Sequence, residues 1–292
     1  MGFLMGERRK YLLKVLLDKI KKDHENIYPP LAVFNYDVIG RHIIYGGFFE
    51  LPYLIALRDQ VFPKLKSKFV CIDVGANIGN HTVYFADHFV SVQSFEPNKR
   101  VFKLLEANSM LRSNIKVFNL GASNKSQAIS IKYNNNNVGM ASVEKVTGDI
   151  EAIFQLEPLD EIVTKENIGE ISFIKIDVEG HELQALQGAV KTIKKYQPVV
   201  ALELLGRNLN GPASELELLR SLGYAYFYEF KDKLKSDWIS PKLYRILNGL
   251  SVLVFNKKIT KNLILCRITE QLDSRKDYVM IIASPYTLLS GD

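Results

Sequence analysis

Four carboxylates, Asp73, Glu96, Asp177 and Glu203, each stand at the end of a short apolar run, the pattern expected where strands of one sheet deliver their acids to a common rim. The first run is the most informative. Phe69-Val-Cys-Ile-Asp-Val74 suits a strand buried on both faces, and Gly75-Ala-Asn-Ile-Gly79 then breaks into a tight turn that opens a helix at Asn80-His81. Such a turn brings backbone N–H groups and a helix dipole to a ligand. Asn77 and Asn80 add amides able to donate or accept hydrogen bonds, whereas His81 reads as an exposed helix start.

The second run, Val90 to Phe95, ends in Glu96, 21 positions after Gly75, an offset at which an acid grips ribose hydroxyls in doubly wound folds. The glycine spacing G-x-x-x-G lacks the pyrophosphate fingerprint G-x-G-x-x-G. A ribose-binding acid without that fingerprint points to S-adenosylmethionine rather than a nicotinamide dinucleotide. Asp73, Gly75, Ala76, Asn77, Gly79, Asn80 and Glu96 are then the cofactor set, joined by Gly121 and Ala122, whose small side chains suit a close approach to a base. Asp177, Glu179, His181 and Glu203 are left to face an acceptor. Two mechanisms remain open: Asp177 or His181 takes a hydroxyl proton directly, or Asp177 and Glu203 hold Mg²⁺ that acidifies the acceptor. Glu182 reads as a favourable charge on a helix N-terminus and Asp160 as either a helix cap or a substrate contact.

Reading on, Gly46-Gly-Phe-Phe-Glu50, Asp73-Val-Gly-Ala-Asn77, Glu96-Pro97, Leu104-Leu105 with Asn108, Ala122-Ser123, Leu159-Asp160, Ile174-Lys-Ile-Asp-Val-Glu-Gly-His-Glu182 and Pro198 followed by Glu203 occur in one order. In these features the chain resembles the FkbM-type family of S-adenosylmethionine-dependent methyltransferases over about residues 46 to 205. The resemblance implies a Rossmann-like class I methyltransferase fold, S-adenosylmethionine as cofactor and O-methylation of sugars or natural products, as in polysaccharide modification. It does not supply the acceptor, and the family pattern accepts other residues where His181 stands. An NAD(P)-dependent oxidoreductase and a non-catalytic Rossmann-like binding module are the alternatives. The first lacks a Tyr-x-x-x-Lys pair after a buried strand, and the intact acids argue against the second.

The elements that must position these residues follow from periodicity. Of the 292 residues 47% are apolar, enough for one large α/β core. The pattern predicts a mostly parallel doubly wound sheet with an N-terminal helical extension. Residues 1–60 form a helical and β extension and 61–292 the catalytic domain, with a hairpin insertion near 124–150 and a C-terminal excursion near 231–277. Residues 31–48 read as a small β entry, and Ala128 to Tyr133 and Val138 to Val143 as the hairpin around an asparagine-rich turn. Formal charge is +6, but the basic residues are spread, so nucleic acid is not expected. Cys71 and Cys266 read as reduced thiols, and with no leader or spanning segment the expected place is the cytoplasm. Residues 11–22 carry leucines at helical spacing among lysines, a stripe for core packing, self-association or peripheral membrane contact.

Overall fold

A computed structural model describes residues 2–25, 27–133, 150–204, 214–232, 262–269, 272 and 277–289. The strands are β1 (Val70–Val74), β2 (Ser91–Phe95), β3 (Ile115–Phe118), β4 (Gly121–Ala122), β5 (Gln127–Tyr133), β6 (Ile150–Glu157), β7 (Ile171–Ile176), β8 (Val199–Leu204), β9 (Tyr226–Asp232), β10 (Leu263–Arg267) and β11 (Tyr278–Ser284). The helices are α1 (Gly2–His24), α2 (Val38–Gly46), α3 (Leu51–Ala56), α4 (Asn80–Ala86), α5 (Lys99–Ser109), α6 (Leu159–Lys165), α7 (Glu182–Gln187), α8 (Val190–Tyr196) and α9 (Ser214–Ser221).

Eight strands form one sheet in the order β10-β9-β11-β8-β7-β1-β2-β3. The five from β8 to β3 run parallel, while β11 is antiparallel to both β8 and β9, and β10 to β9. This is the expected α/β class I methyltransferase architecture. The order reverses between β1 and β7, so the ends of those two strands flank a crevice. Residues alternate across the sheet with period two. Ile72, Val74, Ile174, Ile176, Val200 and Leu202 pack on one side with Leu159, Leu186, Ile193 and Leu219 from the helices α6 to α9. On the other side Cys71, Phe173, Val199 and Ala201 meet Leu54, Leu57, Tyr84 and Phe85. Residues 48–62 therefore share the sheet's own core.

Two expectations need correction, and a third, the hairpin with Val138 to Val143, falls partly outside the described residues. Residues 38–46 are helix α2, not β: Ile39 and Ile43, four apart, pack with Ile78 and Val101, and that burial outweighs the strand preference of branched side chains. Gly47, at φ 84°, ends α2 by donating to the Ile43 carbonyl, so the glycine pair is a helix stop. Strand β5 pairs antiparallel with β6 at 150–157, with Ile131 opposite Ala152, whereas Val138 to Val143 lie outside the described residues. The alternation of Phe154 and Leu156 with Gln155 and Glu157 was the signal for that strand. Leu263–Arg267, inside the supposed excursion, is an edge strand of the main sheet. The helical reading of 232–248 and the apolar run 250–255 fall outside the described residues apart from Asp232.

Candidate active site

The cavity lies where the strand order reverses. It encloses about 290 Å³ beyond the carboxyl ends of β1, β2, β7 and β8. Gly75, Ala76, Asn77, Asn80, Glu96, Gly121, Ala122, Asp177, Glu179, His181 and Glu203 all line it, so most of the expected site converges.

The turn after β1 is built for close approach. Gly75 sits at φ 77°, and a Cβ there would lie 1.8 Å from the Asp177 carbonyl oxygen. Gly79, at φ 91°, precedes α4, and Asn77 also adopts a left-handed conformation at φ 51°. Glu96 fastens this turn: Asn77 N–H donates to its Oε2 at 3.1 Å and Asn98 N–H to its Oε1 at 2.8 Å. Burial pushes its carboxyl up to about 7, against those two donors. Each oxygen keeps a second lone pair for a diol in the cavity. Beside it, Pro97, Ala122, Phe154 and Leu156 give an apolar wall suited to a base.

Asp73 behaves differently from the expectation. It is fully buried beneath the cavity and does not line it. Thr82 Oγ1 donates to its Oδ2 at 2.7 Å, and its Oδ1 lies 3.3 Å from Lys175 Nζ. In the parallel register Asp73 and Lys175 are direct neighbours on the same face. Gly79 likewise shapes the turn without reaching the cavity. The Asn80 amide is turned to the backbone of Phe49, accepting from its N–H at 2.8 Å and donating to its carbonyl at 3.0 Å. Asn108 grips Ala32 in the same two-way fashion and donates to the Ile78 carbonyl at 2.7 Å. These two amides hold the segment carrying Asp37, Val38, Phe49 and Glu50 as one wall of the cavity.

On the acceptor side the charges are interlocked. Lys175 Nζ lies 3.1 Å from Asp177 Oδ2 as well as near Asp73. Burial works against the ammonium, but those two carboxylates outweigh it and raise its pKa, keeping it charged. For Asp177 burial favours the neutral form, yet Lys175 and a hydrogen bond with Glu203 hold it below the usual carboxylate range. Glu203 takes the proton: burial and then the Asp177 charge push its carboxyl up to about 10. Asp177 stays 32% exposed, toward the cavity, while Glu203 Oε2 is buried without a hydrogen-bond partner.

The histidines differ from their sequence reading. His81 is buried rather than exposed, with Nε2 3.5 Å from a Glu50 carboxylate oxygen, and burial followed by the Lys175 charge lowers its pKa to about 4. His181 is also buried, with Nε2 3.0 Å from Ser123 Oγ, and burial lowers its pKa. Glu182 accepts from Val178 N–H and Gly180 N–H, shaping the loop after β7, and burial pushes it up to about 7. Asp160 caps α8, accepting from Lys191 N–H and Thr192 N–H.

The donor set does not suit Mg²⁺. The Lys175 ammonium already sits against Asp177, Glu203 carries a proton, and among the described residues no group of three or more His, Cys, Asp or Glu side chains is arranged around a metal. Sequence reasoning missed Lys175, His81, Glu50 and Asp37. Lys175 had a signal, a lone charge inside the apolar run 171–176.

A switch-point cavity with a ribose-suited acid on one flank and an ionised carboxylate on the other defines a methyltransferase of the Rossmann-like class. The methyltransferase FkbM domain model matches residues 73–226, more than half of the sequence, and the chain belongs to that family. A curated relative, the hexuronic acid methyltransferase AglP of Haloferax volcanii, is 29% identical over 128 residues, 44% of this chain. The match spans about half of that relative, 53% of its length. Among solved structures, the methyltransferase FkbM from Methylobacillus flagellatus aligns at a TM-score of 0.42 and 22% identity, covering 56% of this chain and 40% of that one. The precorrin-6y C5,15-methyltransferase from Geobacter metallireducens aligns at 0.40 and 11% identity, over 88% and 100%.

Proposed function

We propose that the protein transfers a methyl group from S-adenosylmethionine to a hydroxyl of a glycan, nucleotide sugar or glycosylated metabolite. The observation that carries this reading is the convergence of Glu96, from the end of β2, with Asp177 and Glu203, from the ends of β7 and β8, on one cavity at the point where the strand order reverses. The residues present fit the cofactor. Glu96 would take the ribose diol, the apolar side chains of Pro97, Ala122, Phe154 and Leu156 the adenine, and the turn at Gly75 to Asn77 the methionine portion. Bound there, S-adenosylmethionine supplies an electrophilic methyl on a positively charged sulfur.

The chain's part is alignment and proton removal. Asp177, kept ionised by Lys175, would take at its carboxylate the proton that the acceptor hydroxyl must lose on methylation. Protonated Glu203 donates toward Asp177 and limits its basicity until the acceptor arrives. His81, in the first turn of α4, and Glu50, on the wall that faces it, would meet the acceptor's other hydroxyls. The glycan class draws support from the relative that methylates a hexuronic acid. An Mg²⁺ route would have to displace Lys175 from Asp177, which disfavours it.

The test is calorimetry with S-adenosylmethionine and with NADH, followed by transfer of labelled methyl to a panel of nucleotide sugars and oligosaccharides. Asp177→Asn should lower turnover by about 10² or more while cofactor affinity stays within a few fold. Turnover that survives exhaustive chelation supports the direct base. Binding of NADH alone, or near-normal turnover in both Asp177→Asn and Glu203→Gln, would overturn the proposal.

A further inference from the structure

The helix α1 carries an apolar face that the body of the protein does not cover. Leu12, Leu13, Leu16 and Leu17 are 61%, 58%, 57% and 46% exposed, values that rule out the core packing one would expect for such a stripe. At 100° per residue these leucines and Ile20 fill an arc of roughly 140° that no charged residue interrupts between Leu12 and Ile20. Lys10, Lys14 and Lys21 flank one edge of the arc, and Lys19 and Lys22 the other. From Arg9 to His24 the helix bears six lysine and arginine side chains and two acidic ones, Asp18 and Asp23. The helix is not apolar enough to cross a bilayer.

From this we infer that α1 docks the protein in the plane of an anionic lipid surface. The charge pattern selects that occupant. A second copy of the helix laid on the leucine stripe would bring both basic edges against their own kind, and the acids at hand are fewer than the bases: Glu7, Asp18, Asp23 and Glu25, the last already 3.9 Å from Lys21 of its own chain. An anionic bilayer satisfies both parts of the pattern: the leucines enter the acyl boundary while the lysine stems run outward and their ammonium groups meet headgroup phosphates. The helix joins the body beside the cavity, because His24 packs edge-on against Tyr28 and Tyr28 against Phe48, the neighbour of the wall residue Phe49. Docking would thus bring that wall close to the lipid surface.

The experiment is flotation of the full chain with vesicles of phosphatidylcholine alone or with about 30% phosphatidylglycerol, at low and at high salt. At least about tenfold more protein should float with the anionic vesicles, and that excess should vanish at about 1 M salt. The pair Leu13→Glu and Leu17→Glu should abolish flotation, and Lys14→Glu with Lys21→Glu should do so with the leucines intact. Unchanged circular dichroism and S-adenosylmethionine affinity would certify each variant as folded. Equal recovery on neutral and anionic vesicles, or no flotation by folded wild type, overturns the inference. So does a dimer in solution that the leucine changes dissociate. Vesicle binding is read without any acceptor, so its failure is separable from failure of the methyl-transfer proposal.

Discussion

Replacing Lys175 by methionine removes the ammonium that lies between Asp73 and Asp177 while preserving most of the side-chain volume. At 3.3 Å and an effective dielectric near 20, the attraction to Asp73 is about 5 kcal/mol before the desolvation of both groups is counted. The Asp177 leg, at 3.1 Å, is worth less because that carboxylate is a third exposed and screened by water. What decides the outcome is Asp73, fully buried and left with only Thr82 as a donor. Stranding such a charge costs roughly 3–5 kcal/mol. For a chain of this size that lowers Tm by roughly 6–10 °C. Urea denaturation followed by circular dichroism measures it, with Asp73→Asn and the double variant completing a cycle. The double variant should be more stable than Lys175→Met alone, because the stranded charge is gone. A loss under about 1 kcal/mol, or strict additivity of the two changes, would refute the buried-triad argument.

Three further outcomes are expected. Gly75→Ala should abolish S-adenosylmethionine binding in calorimetry and lower Tm, since its Cβ would meet the Asp177 carbonyl oxygen at a φ of 77°; normal affinity would place the cofactor elsewhere. Glu96 has a folded pKa of about 7, and a ribose diol should favour its ionised form, so cofactor affinity should rise with pH up to about 7 and then level. Glu96→Gln should weaken binding and remove that dependence, and a pH profile unaltered by the substitution would reject the ribose assignment. Glu182 has its folded pKa raised to about 7, so its protonated form is the one favoured in the folded state. Its contribution is fully present below the unfolded value near 4.5 and is lost as pH rises through about 7, by at most roughly 1.4 kcal/mol per pH unit in that window. Glu182→Gln, which keeps an acceptor for Val178 and Gly180, should flatten denaturation curves across that range, and an unchanged slope would contradict the assigned pKa.

The parallel half of the fold was legible because four of its five strands, β1, β2, β7 and β8, are largely apolar runs with an acid at or near the carboxyl end, a pattern that fixes both burial and rim. Glu96, Asp177 and Glu203 were found that way. What sequence did not disclose depends on contacts between distant segments. Asp73 has the same local signature as Glu96, yet the register that sets it beside Lys175 turns it into a buried counter-ion. His81 sits at an ordinary helix start, and only the wall carrying Glu50 closes over it. Residues 38–46 have the composition of a strand and become helix because Ile78 and Val101 offer an apolar seat at helical spacing.

Residues 28–50 join neither the main sheet nor the smaller sheet β4-β6-β5, and among the described residues two asparagine amides, on Asn80 and Asn108, hold their backbone, each imitating a backbone pair, beside the packing of Ile39 and Ile43 on Ile78. A segment pinned by side chains rather than by a ladder opens at lower free energy than the strands beside it, so it forms an exchange unit of its own. Its amides at Ala32 and Phe49 should lose protection well before those of β1, and the cavity is then uncovered without unfolding the sheet. The same amide on Asn108 that holds Ala32 also holds Ile78, inside the turn meant for the cofactor. One side-chain amide therefore bridges the wall and the turn, so S-adenosylmethionine binding is expected to slow amide exchange at Ala32.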